Sequence, residues 1–129
     1  IMGVKRLGLI TPYSPNITSA MQRNFNNANL QVTIVGSYFE ESDINVGRID
    51  EDSIFDAVIS IGESDKCDGV FISCTSLRAA KIIEKAEKAI NKPVTSSNHA
   101  LAWHLLRLAG IKDTISGFGS LFSKKRLIL

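Results

Sequence analysis

The sequence lacks the features that mark a membrane protein or a nucleic-acid-binding protein. No apolar run approaches the roughly 18 residues that a membrane-spanning helix needs. The formal net charge is only +2, and the longest run of like charges is Lys124-Lys125-Arg126. That run is too short to predict binding to nucleic acid or to an anionic membrane. The composition, with 44% hydrophobic and 22% charged residues, is typical of a globular protein with a hydrophobic core.

Cysteine and histidine are equally scarce, with two of each. Cys67 and Cys74 flank a predicted strand that rises about 3.3 Å per residue, which places them roughly 20 Å apart and far beyond disulfide reach. Two thiols that cannot pair predict a reducing compartment, the cytoplasm. His99 and His104 do not stack on one helical face, and no Cys-x-x-Cys motif accompanies them. A metal site is therefore not expected.

Short apolar segments alternate with segments of helical periodicity along the whole chain. The pattern predicts strands over residues 6–11, 30–36, 69–73 and 92–96. It predicts helices that begin at Ser14-Pro15, near Asp50, at about Ser76 and at the caps Ser97-Asn98. Such alternation predicts an α/β fold, a parallel sheet with helices on both faces. Right-handed crossovers and Pro93, which suits an edge strand, favour the strand order 2-1-3-4.

Two predicted helices carry apolar residues at helical spacing. The third helix is expected to run from about 76 to 90 and to face inward through a set of five residues: Leu77, Ala80, Ile83, Ala86 and Ile90. The last helix holds Leu101, Leu105 and Leu108 and is expected to end at Gly110. The tail beyond it, residues 118–122, has no evident place in a four-stranded core.

Polar residues follow three of the predicted strands and are expected to meet at one edge of the sheet, where ligands bind in such folds. Tyr13 follows strand one, the run 73–76 follows strand three, and the run 96–98 follows strand four. At the start of a helix, Cys74 would sit at the positive end of the helix dipole, which favours the thiolate. The N–H groups of Thr75 and Ser76 could hold a carboxylate or a developing oxyanion.

Each of these residues also has a purely structural interpretation. Cys74 is equally compatible with a small buried hydrophobic residue, Tyr13 with a loop aromatic, and the run 96–98 with helix capping. The convergence of all of them on one edge favours a binding or catalytic site, but it does not identify a reaction.

Three stretches, "GVKRLGLITPY", "FISCTSLRAAKIIEKAE" and "KPVTSSNHALAWHLLRLAGI", resemble the carboxyl-terminal half of the aspartate/glutamate racemase superfamily, in the branch of maleate cis-trans isomerase and arylmalonate decarboxylase. The resemblance implies two similar Rossmann/flavodoxin-like halves, each with one catalytic cysteine, and no cofactor. It implies that Cys74 transfers a proton next to a carboxylate that Tyr13 binds. It further implies that Thr75 and Ser76 bind substrate, and it leaves Asp43 and Asn45 as alternatives for a contact from the loop after strand two.

On this resemblance, residues 1–129 are expected to form one α/β domain, the second half of a pseudo-symmetric two-half enzyme, and to be a fragment. The implied function is isomerisation or decarboxylation of a small dicarboxylate. The implied partner is a first-half domain or a second copy, without which the fragment is expected to be inactive. The alternative is a non-catalytic module that binds a small anion or dimerises. No metal, nucleic-acid or membrane partner is expected.

Overall fold

A computed structural model describes residues 1–125 of the chain, and within them strands and helices alternate as the sequence predicts. In chain order the elements are β1 (Arg6–Thr11), α1 (Pro15–Asn27), β2 (Gln31–Ser37), the short α2 (Asp43–Val46), α3 (Glu51–Gly62), β3 (Gly69–Ile72), α4 (Ile83–Ile90), β4 (Val94–Ser96) and α5 (Ser97–Leu108), followed by a 3-10 turn (Ser120–Ser123).

The four strands form one parallel sheet in the order β2-β1-β3-β4, which confirms the predicted topology. β1 lies in the middle and pairs with β2 on one side and β3 on the other. Gly8 in β1 lets α3 approach closely, because a Cβ atom at this position would lie 2.5 Å from Ile61 Cγ2. β4 is an edge strand, as Pro93 predicts.

Helices cover both faces of the sheet. On one face, α3 and α4 bury Ile54, Val58 and Ile83 against Ile10 and its neighbours. On the other face, α1 packs over Leu9, and the Phe25 ring meets the Phe71 ring edge-on at 5.6 Å between centroids. Each fully buried side chain of this size stabilises the fold by roughly 1.5–3 kcal/mol. Both core layers follow from the apolar periodicity of the strands and helices.

The prediction that a helix begins at about Ser76 is wrong. α4 begins at Ile83, and the segment from 73 to 82 forms turns. Leu77 and Ala79 are both buried in the core, and Ala79 N–H donates to the Leu77 carbonyl at 3.0 Å, a bond between residues two apart that an α-helix does not make. Ala80, expected to face inward, is exposed. Cys74 therefore has no helix starting directly behind it, and the dipole argument for its thiolate fails.

The last helix also packs through a different face than its leucines suggest. Leu101, Leu105 and Leu108 are 53%, 54% and 62% exposed, whereas α5 buries His99, Trp103 and Arg107. The cause is a tail that returns along the helix. The guanidinium of Arg107 donates to three backbone carbonyls of this tail, those of Ile111, Asp113 and Lys124.

The tail therefore has a place that the sequence did not predict. Leu121 and Phe122 are 4% and 5% exposed and pack against Trp103. The Nε2–H of His99 donates to the Phe118 carbonyl at 2.6 Å, and its ring lies 4.7 Å from that of Phe122. These contacts fix α5, and with it the residues that open the helix, against the body of the protein.

None of the helices in residues 1–125 combines the length and the apolar content needed to cross a membrane. Within the same range, no three His, Cys, Asp or Glu side chains lie close enough together to hold a metal ion.

Candidate functional site

The carboxyl edge of the sheet brings together residues from three strand ends, as the sequence predicts. Tyr13 follows β1, Cys74 follows β3, and Ser97 and Asn98 open α5 directly after β4. β1 and β3 are neighbours in the sheet, so the segments that leave them run side by side. This adjacency places the Tyr13 ring and the Cys74 thiol in one site.

Cys74 adopts a backbone conformation that side chains rarely take. Its φ is +119°, in the region that favours glycine. Two side chains from α5 hold the backbone on either side of this residue. Ser97 Oγ accepts a hydrogen bond from Cys74 N–H at 3.2 Å, and Asn98 Nδ2 donates to the Thr75 carbonyl at 2.8 Å. An uncommon conformation held by several contacts is typical of functional sites.

The Cys74 thiol lies beside a backbone donor. Ser76 N–H donates to Cys74 Sγ at 3.4 Å, and the residue as a whole is 7% exposed. Thr75 is exposed at the open side of the same turn, and Ser76 is half-buried. The N–H donor next to the thiol was expected at the start of a helix, but it lies in the turn that precedes α4.

Tyr13 is half-buried and interacts with the thiol. Burial raises the pKa of the Tyr13 phenol above its usual value, and hydrogen bonding to Cys74 raises it further, while a hydrogen bond with Ser73 acts in the opposite direction. The charges of Cys74 and Asp43 also raise this pKa. The Tyr13 carbonyl accepts a hydrogen bond from Ser37 Oγ at 2.7 Å, which fixes the loop. Tyr13 is therefore a protonated donor at neutral pH.

The loop after β2 contributes charge and a short helix to the site. Asp43 opens α2, and its carboxylate acts on the Tyr13 phenol. Asn45 instead donates to Glu40 Oε2 at 3.3 Å. A cleft of about 300 Å³ lies here, lined in part by Tyr13, Ile17 and the carboxylates of Glu40, Glu41 and Asp43. Three carboxylates make this side of the site unfavourable for an anion.

A second cleft, of about 340 Å³, lies on the side of the Cys74 loop that carries positive charge. Its lining includes Arg78, Lys81 and Asn98. Arg78 Nη2 donates to the Ile49 carbonyl at 3.4 Å, and Lys81 Nζ lies 3.7 Å from Glu51 Oε1. Glu51 lines this cleft as well and offsets Lys81, so the Arg78 guanidinium gives the lining its net positive charge. This charge favours entry of an anion from the Arg78 side over the side of the three carboxylates.

A larger groove, of about 750 Å³, lies away from these residues between α1 and α5. Its lining is mainly apolar and includes Leu7, Phe25, Phe71 and Leu101. None of Tyr13, Cys74, Thr75 and Ser76 lines it, so the candidate site is the carboxyl edge.

Sequence reasoning underestimated Ser97 and Asn98, which it assigned to capping α5. The cap is Ser96, whose Oγ accepts from His99 N–H at 3.3 Å, and this leaves the next two residues free to bind the Cys74 loop. The consecutive polar residues after a strand were a signal for such contacts. The positive φ of Cys74 had no signal in the sequence, because cysteine does not favour it.

Comparison with known proteins shows which family the chain matches. Residues 1–122 match the model of the arylmalonate decarboxylase family. The chain is 24% identical over 124 residues to a maleate isomerase of Geobacillus stearothermophilus, which covers 96% of the chain and 49% of the relative. It is 27% identical over 125 residues to an arylmalonate decarboxylase of Bordetella bronchiseptica, covering 95% and 52%.

The fold is also that of a solved structure with a modified cysteine. A cysteine-to-serine mutant of a maleate cis-trans isomerase of Nocardia farcinica, solved with a covalently bound succinylcysteine intermediate, superposes with a TM-score of 0.87 at 20% identity. The match covers 94% of this chain and 49% of that one. The chain thus spans about half the length of the curated relatives it matches.

Proposed function

The chain belongs to the arylmalonate decarboxylase family, and from this premise we propose that it is the cysteine-bearing second half of a cofactor-independent isomerase or decarboxylase of a small dicarboxylate. The observation that carries the proposal is the Cys74 thiol at the carboxyl edge, which accepts the Ser76 N–H at 3.4 Å and follows the strand next to the one that Tyr13 follows. Besides burial, the thiol also raises the pKa of the Tyr13 phenol. A thiol set between two donors is suited to proton transfer beside a carboxylate that those donors hold.

In the decarboxylase form of the proposal, the substrate carboxylate binds to the Tyr13 hydroxyl and to the N–H groups of Thr75 and Ser76. The bond from the central carbon to the second carboxylate breaks, and carbon dioxide leaves. The electron pair stays on the central carbon and is delocalised into the bound carboxylate. The Cys74 S–H then gives its proton to that carbon, and the resulting thiolate is reprotonated from solvent. One cysteine is sufficient for this reaction.

In the isomerase form, a cysteine thiolate of the partner half adds to one carbon of the double bond, and the Cys74 S–H gives its proton to the other carbon. The resulting succinyl thioether allows rotation about the new single bond, and loss of the same proton and of the thiolate gives the other isomer. This route needs a second cysteine as the nucleophile, which the partner half would supply. The succinylcysteine in the cysteine-to-serine mutant of the Nocardia farcinica isomerase supports covalent addition by a cysteine other than the one replaced there.

Both forms need a partner half, because a carbanion-like species must be kept from water. Exposed apolar side chains around the site support a covering surface at the carboxyl edge. Ile17, Phe39 and Ile44 are 52%, 65% and 70% exposed there, and Ile17 lines the cleft at Tyr13. The occupant we propose is the first half of the family's fold, since the chain spans only about half of its relatives.

Two further observations concern the cellular compartment and the loop after β2. Cys67 and Cys74 are both free thiols, which supports a reducing compartment, the cytoplasm. In the loop after β2, Asp43 acts on Tyr13 through its charge and Asn45 donates to Glu40, and both stay alternatives for a contact with substrate.

The test is an assay of the chain with maleate and with an arylmalonate, alone and mixed with a separately produced first half from a family member. Turnover is expected only in the mixture and is expected to disappear in Cys74→Ser, while Cys67→Ser keeps it. Turnover that survives Cys74→Ser contradicts the proposal. Binding of maleate at Tyr13 and Cys74 without turnover in any mixture would favour the non-catalytic anion-binding module.

A further inference from the structure

We propose that Ser97 and Asn98 are positioning residues, which hold Cys74 in its uncommon backbone conformation and thereby direct its thiol towards Tyr13. The inference rests on the proposed function only for what the thiol does, since the contacts that carry it are observed in the fold itself.

Three consecutive residues at the start of α5 make three different contacts. Ser96 Oγ caps the helix by accepting from His99 N–H at 3.3 Å. Ser97 Oγ accepts from Cys74 N–H at 3.2 Å, and Asn98 Nδ2 donates to the Thr75 carbonyl at 2.8 Å. Since Ser96 already provides the cap, capping does not explain the other two side chains.

The two contacts lie on either side of the backbone of Cys74 and Thr75. The bond from Ser97 is made to the N–H of Cys74, and the bond from Asn98 is made to the carbonyl of the following residue. The φ of Cys74, which lies between the two contacts, is +119°, a value at which a Cβ atom is sterically unfavourable. Without the two bonds, the chain is expected to relax to a negative φ, which swings Sγ away from Ser76 N–H and from the Tyr13 phenol.

The helix that carries Ser97 and Asn98 is itself rigidly held. α5 buries Trp103 and Arg107, and the carbonyl of Lys124 accepts hydrogen bonds from both, each at 3.0 Å. A group that orients a reactive side chain works best from such a fixed element. The packed tail therefore acts on Cys74 through α5, although none of its residues lines the site.

The test uses the full chain without substrate, so that its result does not depend on turnover. The parent for this test is Tyr38→Phe, in which Tyr13 is the one remaining tyrosine. The Tyr13 phenol is titrated by absorbance in this parent and in further variants made from it. Ser97→Thr and Ser97→Val have the same shape and differ only in the hydroxyl, and Asn98→Leu has a similar size, adds no charge and cannot donate. Cys74→Ala shows the Tyr13 titration without a thiol. Hydrogen exchange of the Cys74 amide is followed by NMR in every variant except Cys74→Ala.

Ser97→Thr is expected to match the parent. Ser97→Val is expected to speed exchange of the Cys74 amide at least tenfold, and both Ser97→Val and Asn98→Leu are expected to move the Tyr13 titration most of the way towards that of Cys74→Ala. Ser64→Ala is the control, because Ser64 Oγ also accepts a backbone N–H, that of Lys66 at 3.3 Å, but in a loop next to the start of β3.

Folded Ser97→Val and Asn98→Leu variants that titrate like the parent would overturn the proposal, as would a shift of equal size in Ser64→Ala. If either variant at 97 or 98 does not fold, the other decides by the same criterion. An inactive mixture of halves would refute the proposed function and leave this result unchanged.

Discussion

The backbone N–H of Cys74 donates to Ser97 Oγ at 3.2 Å, although the two residues are 23 positions apart in the chain. This bond, with that of Asn98 to the Thr75 carbonyl, joins the loop after β3 to the first turn of α5. It keeps the residue that the sequence singles out for chemistry at a φ of +119°. No residue near Cys74 in the sequence favours that angle. The strain should therefore appear as a difference in the free energy of unfolding between variants at this position.

We expect Cys74→Gly to be more stable than Cys74→Ala by about 1 kcal/mol. Backbone strain of roughly 1–3 kcal/mol is relieved by glycine, and the greater freedom of glycine in the unfolded chain offsets part of that gain. Urea unfolding of both variants measures the difference. Cys67, buried and without a positive φ, is the matched control, and there glycine should be the less stable of the two. The same order at both positions would contradict strain at Cys74.

Iodoacetamide is expected to modify Cys74 at least tenfold faster than Cys67. The reason for the difference in rate is the different surroundings of the two thiols, because no helix begins directly after Cys74. Cys67 is 1% exposed and donates its S–H to the Ile61 carbonyl at 3.4 Å, whereas Cys74 is 7% exposed in a turn at the carboxyl edge of the sheet, next to the exposed Thr75. Peptide mapping by mass spectrometry gives both rates, and modification in urea should make them equal. Equal rates in the folded protein would argue against a reactive thiol at this edge.

Tyr13→Phe is expected to lower catalytic efficiency at least tenfold in an active mixture of halves. The change keeps the ring and removes one hydrogen bond to a charged group, which is worth roughly 1.5–3 kcal/mol. Steady-state kinetics give the activity, and thermal unfolding should show little change. Tyr38→Phe, which removes a bond from a hydroxyl to the Ser53 carbonyl at 3.0 Å, is the control. Lost stability with unchanged activity would make Tyr13 a structural residue.

Stability is expected to fall as the pH drops from 7.5 to 5, because of His99. Burial lowers the pKa of this imidazole, against smaller opposing effects from the Phe118 carbonyl and Glu87. Below the unfolded value of about 6.5, the unfolded chain takes up a proton that the folded chain resists, so the free energy of unfolding decreases. The carboxyls of Asp50 and Asp68, whose pKa values are lowered, affect stability only at lower pH.

Urea unfolding at several pH values between 5 and 7.5 measures this dependence. His99→Gln should flatten it, and His104→Gln, at an exposed position of the same helix, should leave it as in the parent. A slope that survives His99→Gln would assign the effect to another group.

The purified chain is expected to dimerise or aggregate, because its apolar surface at the carboxyl edge lacks the proposed partner half. Replacing Phe39 and Ile44, which are 65% and 70% exposed, by serine should reduce association in sedimentation experiments. Leu105→Ser, at a similarly exposed position on α5, tests whether that helix face is responsible instead. A stable, active monomer would contradict the half-enzyme interpretation.

The sequence alone determined the order of strands and helices, the parallel sheet 2-1-3-4 and the edge at which Tyr13 and Cys74 meet. These features are encoded locally. Apolar periodicity distinguishes strand from helix, and Pro15 and Asp50 mark helix starts that the structure places at the same points. Parallel topology then brings the strand ends together whatever the loops contain.

The tertiary structure decided where α4 begins, which face of α5 is buried and how the Cys74 thiol is aimed. Each depends on a contact between distant residues. Leu77 and Ala79 leave helical geometry to enter the core, and Arg107 replaces the expected leucines because its guanidinium binds the carbonyls of the returning tail. The φ of Cys74 depends on hydrogen bonds with α5. Periodicity reports only the average environment of a residue, so bonds between distant side chains and backbone groups remain invisible until the chain is folded.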